Sequence, residues 1–220
     1  MPIIGRPQDE FSKFEYALES ELLQIQQYID GLAFFIKKNQ QGTKKFVDEE
    51  IWTEKAEGPP LIALEIYSQV DHHTPRLFYR SSLTVLYSFF ETTFHALTSA
   101  VIKKWKFRLI LSDLKGQGIL RDKLFLDKVV GLDLKALDSL WSGLNDVREI
   151  RNHMVHDSSD SIVNNRSGNL KRICDVNKYL EFYEPDGPVE IASVEYLRYV
   201  KDLVDVFLKL LILILRNHNV

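Results

Sequence analysis

Arg151, Asn152 and His156 carry the side chains in this chain best suited to acid–base work on an anion. An imidazole exchanges its proton near neutral pH, so His156 can serve as general acid or general base. A guanidinium stays charged and forks onto the oxygens of a phosphate, so Arg151 can hold and neutralise a phosphoryl group as negative charge builds on it. The amide of Asn152 can donate to the same group or orient the imidazole. Such chemistry needs no metal. Arg148, Glu149 and His153 form an overlapping set in the same stretch, VREIRNHMVH, and Glu91 is a further carboxylate that could pair with Arg151 or Arg148.

A chain of 220 residues with 11 arginines and six histidines would contain an Arg-x4-His pair about 0.3 times by chance. Here it occurs twice, as Arg148 with His153 and Arg151 with His156. With Asn directly after Arg151, on an amphipathic helix in a helical chain, EIRNHMVH resembles the R-x4-6-H signature of the HEPN superfamily. Members are small helical bundles, many of them metal-independent ribonucleases that act as dimers in toxin–antitoxin and phage-defence systems. The resemblance therefore implies an endoribonuclease without cofactor, acting on RNA as a homodimer, with an antitoxin protein as a possible partner; the single cysteine suits a reducing cytoplasm. RNA supplies its own nucleophile, the 2′-OH beside each phosphate. The resemblance makes His156 the acid or base and Arg151 the phosphate ligand. Glu149 follows Arg148 where the family favours Asn, so the overlapping pair ranks second. Some HEPN toxins carry a Tyr two residues after the motif His; this chain has Ser158 there.

A straight helix sets Arg151 and His156 about 140° apart and about 7.5 Å along the axis, so they do not share a face. Three arrangements would answer this: a helix that frays near Val155, an arginine that reaches round, or a two-fold axis that brings two motifs together. A plainer role also fits these residues. Cations near a helix C-terminus complement its dipole, and Arg148, Arg151, His153 and His156 could all do only that. The alternative function is thus a non-catalytic HEPN-like module binding RNA, nucleotide or protein, or a plain scaffold.

The elements that must position the motif read as an all-α, up-and-down bundle of four to five main helices, with a small β-hairpin before the last. Phe11, Phe14, Leu18, Leu22, Ile25, Ile29, Leu32 and Ile36 predict a helix from about Gln8 to Gln40, with Gly42 as its stop. Residues 43–73 read as an insertion, in which LIALEIYSQV is either a short strand or a helical turn. His72 and His73 fit solvated loop histidines. Thr74 and Pro75 signal an N-cap and first turn, opening a helix to about Lys106. A short helix follows, Ile119 to Val130, closed by Gly131. The motif helix runs from Leu134 to His156, with Leu137, Leu140, Leu144 and Val147 as a stripe that meets Arg151 next. The stretch 157–169 is polar and reads as an exposed loop. YLEFY and PVEI flank EPDG as a hairpin. Ser193 caps a last helix ending near Arg216, whose LKLLILIL is core or subunit interface. His95 reads as a packed or partly exposed helix residue and His218 as inert.

Composition agrees with one domain spanning 1–220, with 43–73 and 157–192 as insertions within it. Apolar residues make up 45% and charged residues 27%, the balance of a globular chain. A net charge of −3 and a pI near 6.1 rule out a global basic field, so any RNA contact is local. One cysteine, Cys174, excludes an intrachain disulfide and a multi-cysteine metal site. The opening MPIIGRPQDEF has no apolar signal segment, and no run is long enough to imply a membrane span.

Overall fold

A computed structural model describes residues 10–51, 60–156, 166–182 and 188–218. The fold is all-α, with seven α-helices and one two-stranded hairpin among the described residues. Helix α1 spans Glu10–Phe46 and continues into a π-turn, Val47–Ile51. Helix α2 is Leu61–Ser68, followed by a π-turn at Gln69–His73 and then α3, Thr74–Trp105. Next come α4 at Gly118–Leu124 with a π-turn at Phe125–Val129, α5 at Asp138–His156 and α6 at Arg166–Asp175. Strands β1 (Leu180–Phe182) and β2 (Val189–Ile191) precede α7, Val194–Asn217. No helix of the described residues is long and apolar enough to cross a membrane.

Several boundaries differ from the sequence expectation for local reasons. Helix α1 runs past Gly42, because a mid-helix glycine costs only about 1 kcal/mol and burial of Val47 at 0% exposure favours continuing. LIALEIYSQV is helical, not strand. Thr74 is not an N-cap: its φ of −64° and ψ of −49° are already helical. The chain enters Pro75 from a π-turn, whose wider ring tolerates the missing N–H that would break a regular turn. Residues 166–169, expected in a loop, open α6, while 157–165 lie outside the described residues.

The chain forms two compact units. The first comprises residues 1–25, 85–148 and 199–220. Its centre is an aromatic cluster in which Phe207 of α7 meets Phe90 and Phe94 of α3 at 5.6 Å and Trp141 of α5 at 5.8 Å. The edge-on contacts to Phe90 and Phe94 suit the ring quadrupoles. Gly143 lets α5 approach α7: a Cβ there would stand 3.0 Å from Leu203. Arg216 closes the end of α7 onto α1 through Glu15 at 2.8 Å and Ser12 at 2.9 Å.

The second unit comprises residues 26–84 and 149–198. Tyr28 and the buried Ser82 share a hydrogen bond of 3.0 Å, and Phe35 meets Phe78 edge-on at 5.6 Å. Lys44 pairs with Asp71 at 2.9 Å, and Tyr67 donates to Asp48 at 2.7 Å, holding the end of α1 to α2 and its π-turn. In the hairpin, Leu180 opposes Ile191 and Phe182 opposes Val189, so one face is apolar, and α6 packs against β1. The other face puts Glu181 opposite Glu190. Like charges across a ladder repel. Arg76 of α3 resolves this by pairing with both, at 3.7 Å to Glu181 and in a close contact with Glu190. Ser193 caps α7 as expected, accepting the Glu195 N–H at 3.2 Å.

Candidate functional site

The C-terminal turn of α5 carries the motif, and its buried stripe explains how each side chain is placed. Leu137, Trp141, Leu144, Val147, Ile150 and Met154 are buried. The stripe steps from Val147 by three to Ile150, not by four to Arg151, so the guanidinium lies beside the apolar face and does not interrupt it. Leu140 is correspondingly half-buried. Arg151 is half-buried and donates from Nη1 to Asn152 Oδ1 at 3.0 Å, while its Nε is buried without an acceptor. A buried donor left without a partner costs about 1–3 kcal/mol. The Nε of Arg121 is likewise buried without an acceptor. With Oδ1 engaged, the amide N–H groups of Asn152 remain as donors.

His156 is the last residue of α5, and its side chain lies outside the described residues. The helix is continuous to that point, which removes fraying near Val155 as a way to bring His156 onto the face of Arg151. The overlapping pair behaves differently. The ring of His153 accepts the Val189 N–H at Nε2, 3.3 Å away, fastening α5 to β2. An accepting Nε2 is unprotonated, so this imidazole is neutral with its proton on Nδ1. Arg148 and Glu149 are half-buried and both are engaged in interactions of their own. Glu91 is half-buried on α3 and forms no ion pair among the described residues.

Arg80 of α3, absent from the sequence reading, also belongs to this end of the second unit. Its Nη2 donates to the carbonyl oxygen of Met154. The last four carbonyls of a helix lack intrahelical partners, and Arg80 satisfies one of them from a neighbouring element. Arg76 and Arg80, four residues apart, share a helix face. That spacing was visible in the sequence, but nothing in it shows which residues they meet.

A second constellation lies in the first unit. Asp122 of α4 is buried at 1% exposure, and its oxygens stand 3.1 and 3.3 Å from Nδ1 of His95, whose side chain is 54% exposed. Burial pushes the Asp122 carboxyl above its ordinary value; the hydrogen bond and charge of His95 and the charge of Arg121 pull the other way. The sequence carried a signal here: Asp122 sits three residues after Ile119 and four before Leu126, on an apolar stripe. Burial also pushes the Cys174 thiol up to about 11, so it is neutral and unreactive at physiological pH. Among the described residues no three His, Cys, Asp or Glu side chains converge as a metal site would require. His72 and His73 are exposed in a π-turn rather than a loop, and the ring of His218 rests 5.5 Å from that of Trp105.

Compared with protein-family models, curated proteins and solved structures, the chain matches none. The class of protein is therefore defined by its all-α architecture and by the polar end of α5 alone.

Proposed function

We propose that the protein is a metal-independent endoribonuclease of HEPN type, with Arg151, Asn152 and His156 as its working residues and a toxin or phage-defence effector as its role. The observation that carries the reading is Arg151 itself: a half-buried guanidinium, bound only to its neighbour Asn152, with a buried Nε that no acceptor satisfies. In the reaction, a base removes the 2′-OH proton, the 2′-oxygen attacks the adjacent phosphorus, and an acid protonates the departing 5′-oxygen. The products are a 2′,3′-cyclic phosphate and a 5′-hydroxyl. Arg151 neutralises the charge that gathers on the phosphoryl oxygens. With α5 helical through His156, an arginine that reaches round and a two-fold axis are the arrangements left; the reading takes the axis, where two imidazoles supply both base and acid.

The test is RNA cleavage in the presence of EDTA. His156→Ala should lower the rate by roughly 10²–10⁴-fold, and Arg151→Lys should also be severely impaired because Lys lacks the planar fork. His153→Ala should retain cleavage, since its ring serves the hairpin. Wild type that cuts no RNA, or a dead His153→Ala beside an active His156→Ala, overturns the assignment. A second reading, an RNA-binding module that cuts nothing, is favoured by the angular separation of Arg151 and His156 on an unbroken helix. A 25.6 kDa monomer in light scattering would select it, because the ribonuclease reading takes its base and its acid from two chains.

A further inference from the structure

We propose that Arg80 is a second phosphate-binding residue, forming with Arg151 a two-guanidinium cradle for the backbone of a single RNA strand at the end of α5. This rests on the RNA-directed reading above and adds to it a residue on another helix. Two other arginines of the second unit set the contrast. Arg76 is neutralised by Glu181 and Glu190, and Arg198 by Asp30 and Glu195. Arg80 and Arg151 have no carboxylate partner among the described residues; the first meets a backbone carbonyl, the second a neutral amide.

Both are attached to the last turns of α5. Arg80 holds the carbonyl of Met154, which lies three residues beyond Arg151 on the same helix. That is about 4.5 Å along the axis and about 60° round it. A guanidinium offers five N–H donors, and the Met154 carbonyl takes one from Arg80, leaving the others without an acceptor among the described residues. Both side chains are half-buried, which keeps their charge less screened than on open surface. Two uncompensated cations at one helix end form a local positive field in a chain of net charge −3. An anionic strand relieves their repulsion, and the fork geometry of each suits a phosphodiester oxygen pair. A strand laid across them would pass the end of α5 where His156 sits.

The experiment measures binding of a fluorescein-labelled 2′-O-methyl RNA 12-mer, which lacks a free 2′-OH and so is not cut, at several salt concentrations. Each phosphate contact on a single strand contributes about 0.7 to the slope of log affinity against log salt. Arg80→Gln should flatten that slope by about 0.7 and weaken binding roughly tenfold, while Arg80→Lys should keep the slope and lose part of the affinity. Arg198→Gln, whose parent is already paired, should leave the slope unchanged. Glutamine retains an N–H for the Met154 carbonyl, so a lower melting temperature with an unchanged slope would show Arg80 to be only a helix cap and overturn the cradle. Full competition by 5′-AMP at equal concentration would overturn the strand in favour of a mononucleotide. The two readings fail separately. Wild type that binds through Arg80 but cuts no cleavable RNA leaves the cradle and removes the ribonuclease; wild type that cuts, with binding indifferent to Arg80→Gln, does the reverse.

Discussion

The centre of the first unit and the end of α5 in the second unit use their side chains for opposite ends. Around Phe207, three further aromatic rings lie within 5.6–5.8 Å, and the cationic side chain at the end of α7, Arg216, is matched with Glu15 and Ser12. At the end of α5, Arg151 keeps a buried nitrogen unsatisfied and Arg80 spends its charge on a carbonyl. Buried nitrogens without an acceptor occur in the first unit too, at Arg121 Nε, so the difference lies in the carboxylate partners and not in the unsatisfied atom. Guanidinium groups without carboxylates carry a cost that a bound anion can offset, and the end of α5 brings two of them to one helix, Arg151 on it and Arg80 on its Met154 carbonyl.

The comparison breaks most readily at its packed side. Phe207→Ala should destabilise the protein by about 3–5 kcal/mol, seen as a large fall in the urea midpoint. A loss below 1 kcal/mol would mean that the cluster is not the centre of stability. Next comes the arginine contrast. Arg151→Met removes an unsatisfied buried donor, so it should leave stability unchanged or raise it by about 1 kcal/mol while abolishing RNA cleavage. Arg198→Met breaks ion pairs to Asp30 and Glu195 at a partly exposed site and should cost about 0–1 kcal/mol, less at high salt. Equal losses from both substitutions would erase the distinction.

The smallest effect concerns Asp122, a buried carboxylate in the packed region. Because burial raises the Asp122 value above 3.8, the stability this group contributes is fully present below its unfolded value. It is lost as pH rises through the raised folded value. Asn can still accept the His95 hydrogen bond and does not ionise. Asp122→Asn should therefore gain on wild type between pH 4 and neutrality, measured as the difference in urea midpoints. A gap that moves the other way would show that the pairing with His95 outweighs burial.

Periodicity determined the all-α architecture, turn chemistry the hairpin before the last helix, and residue type the Ser193 cap and the polar character of 151–156, because all of these are local properties. It also singled out Arg151, although the apolar step from Val147 to Ile150, rather than to Arg151, became visible only once α5 was packed. Where α1 ends was not legible, since the burial of Val47 is a tertiary gain that outweighs the local cost of Gly42. Nor was the helical entry into Pro75, which depends on a π-turn. The partners of charged side chains lay furthest from the sequence. Arg80 meets Met154 across 74 positions and Arg198 meets Asp30 across 168. Charge type and spacing name the candidates, but only tertiary packing decides which cations are neutralised and which are left to bind, because an ion pair depends on distance in space and not along the chain.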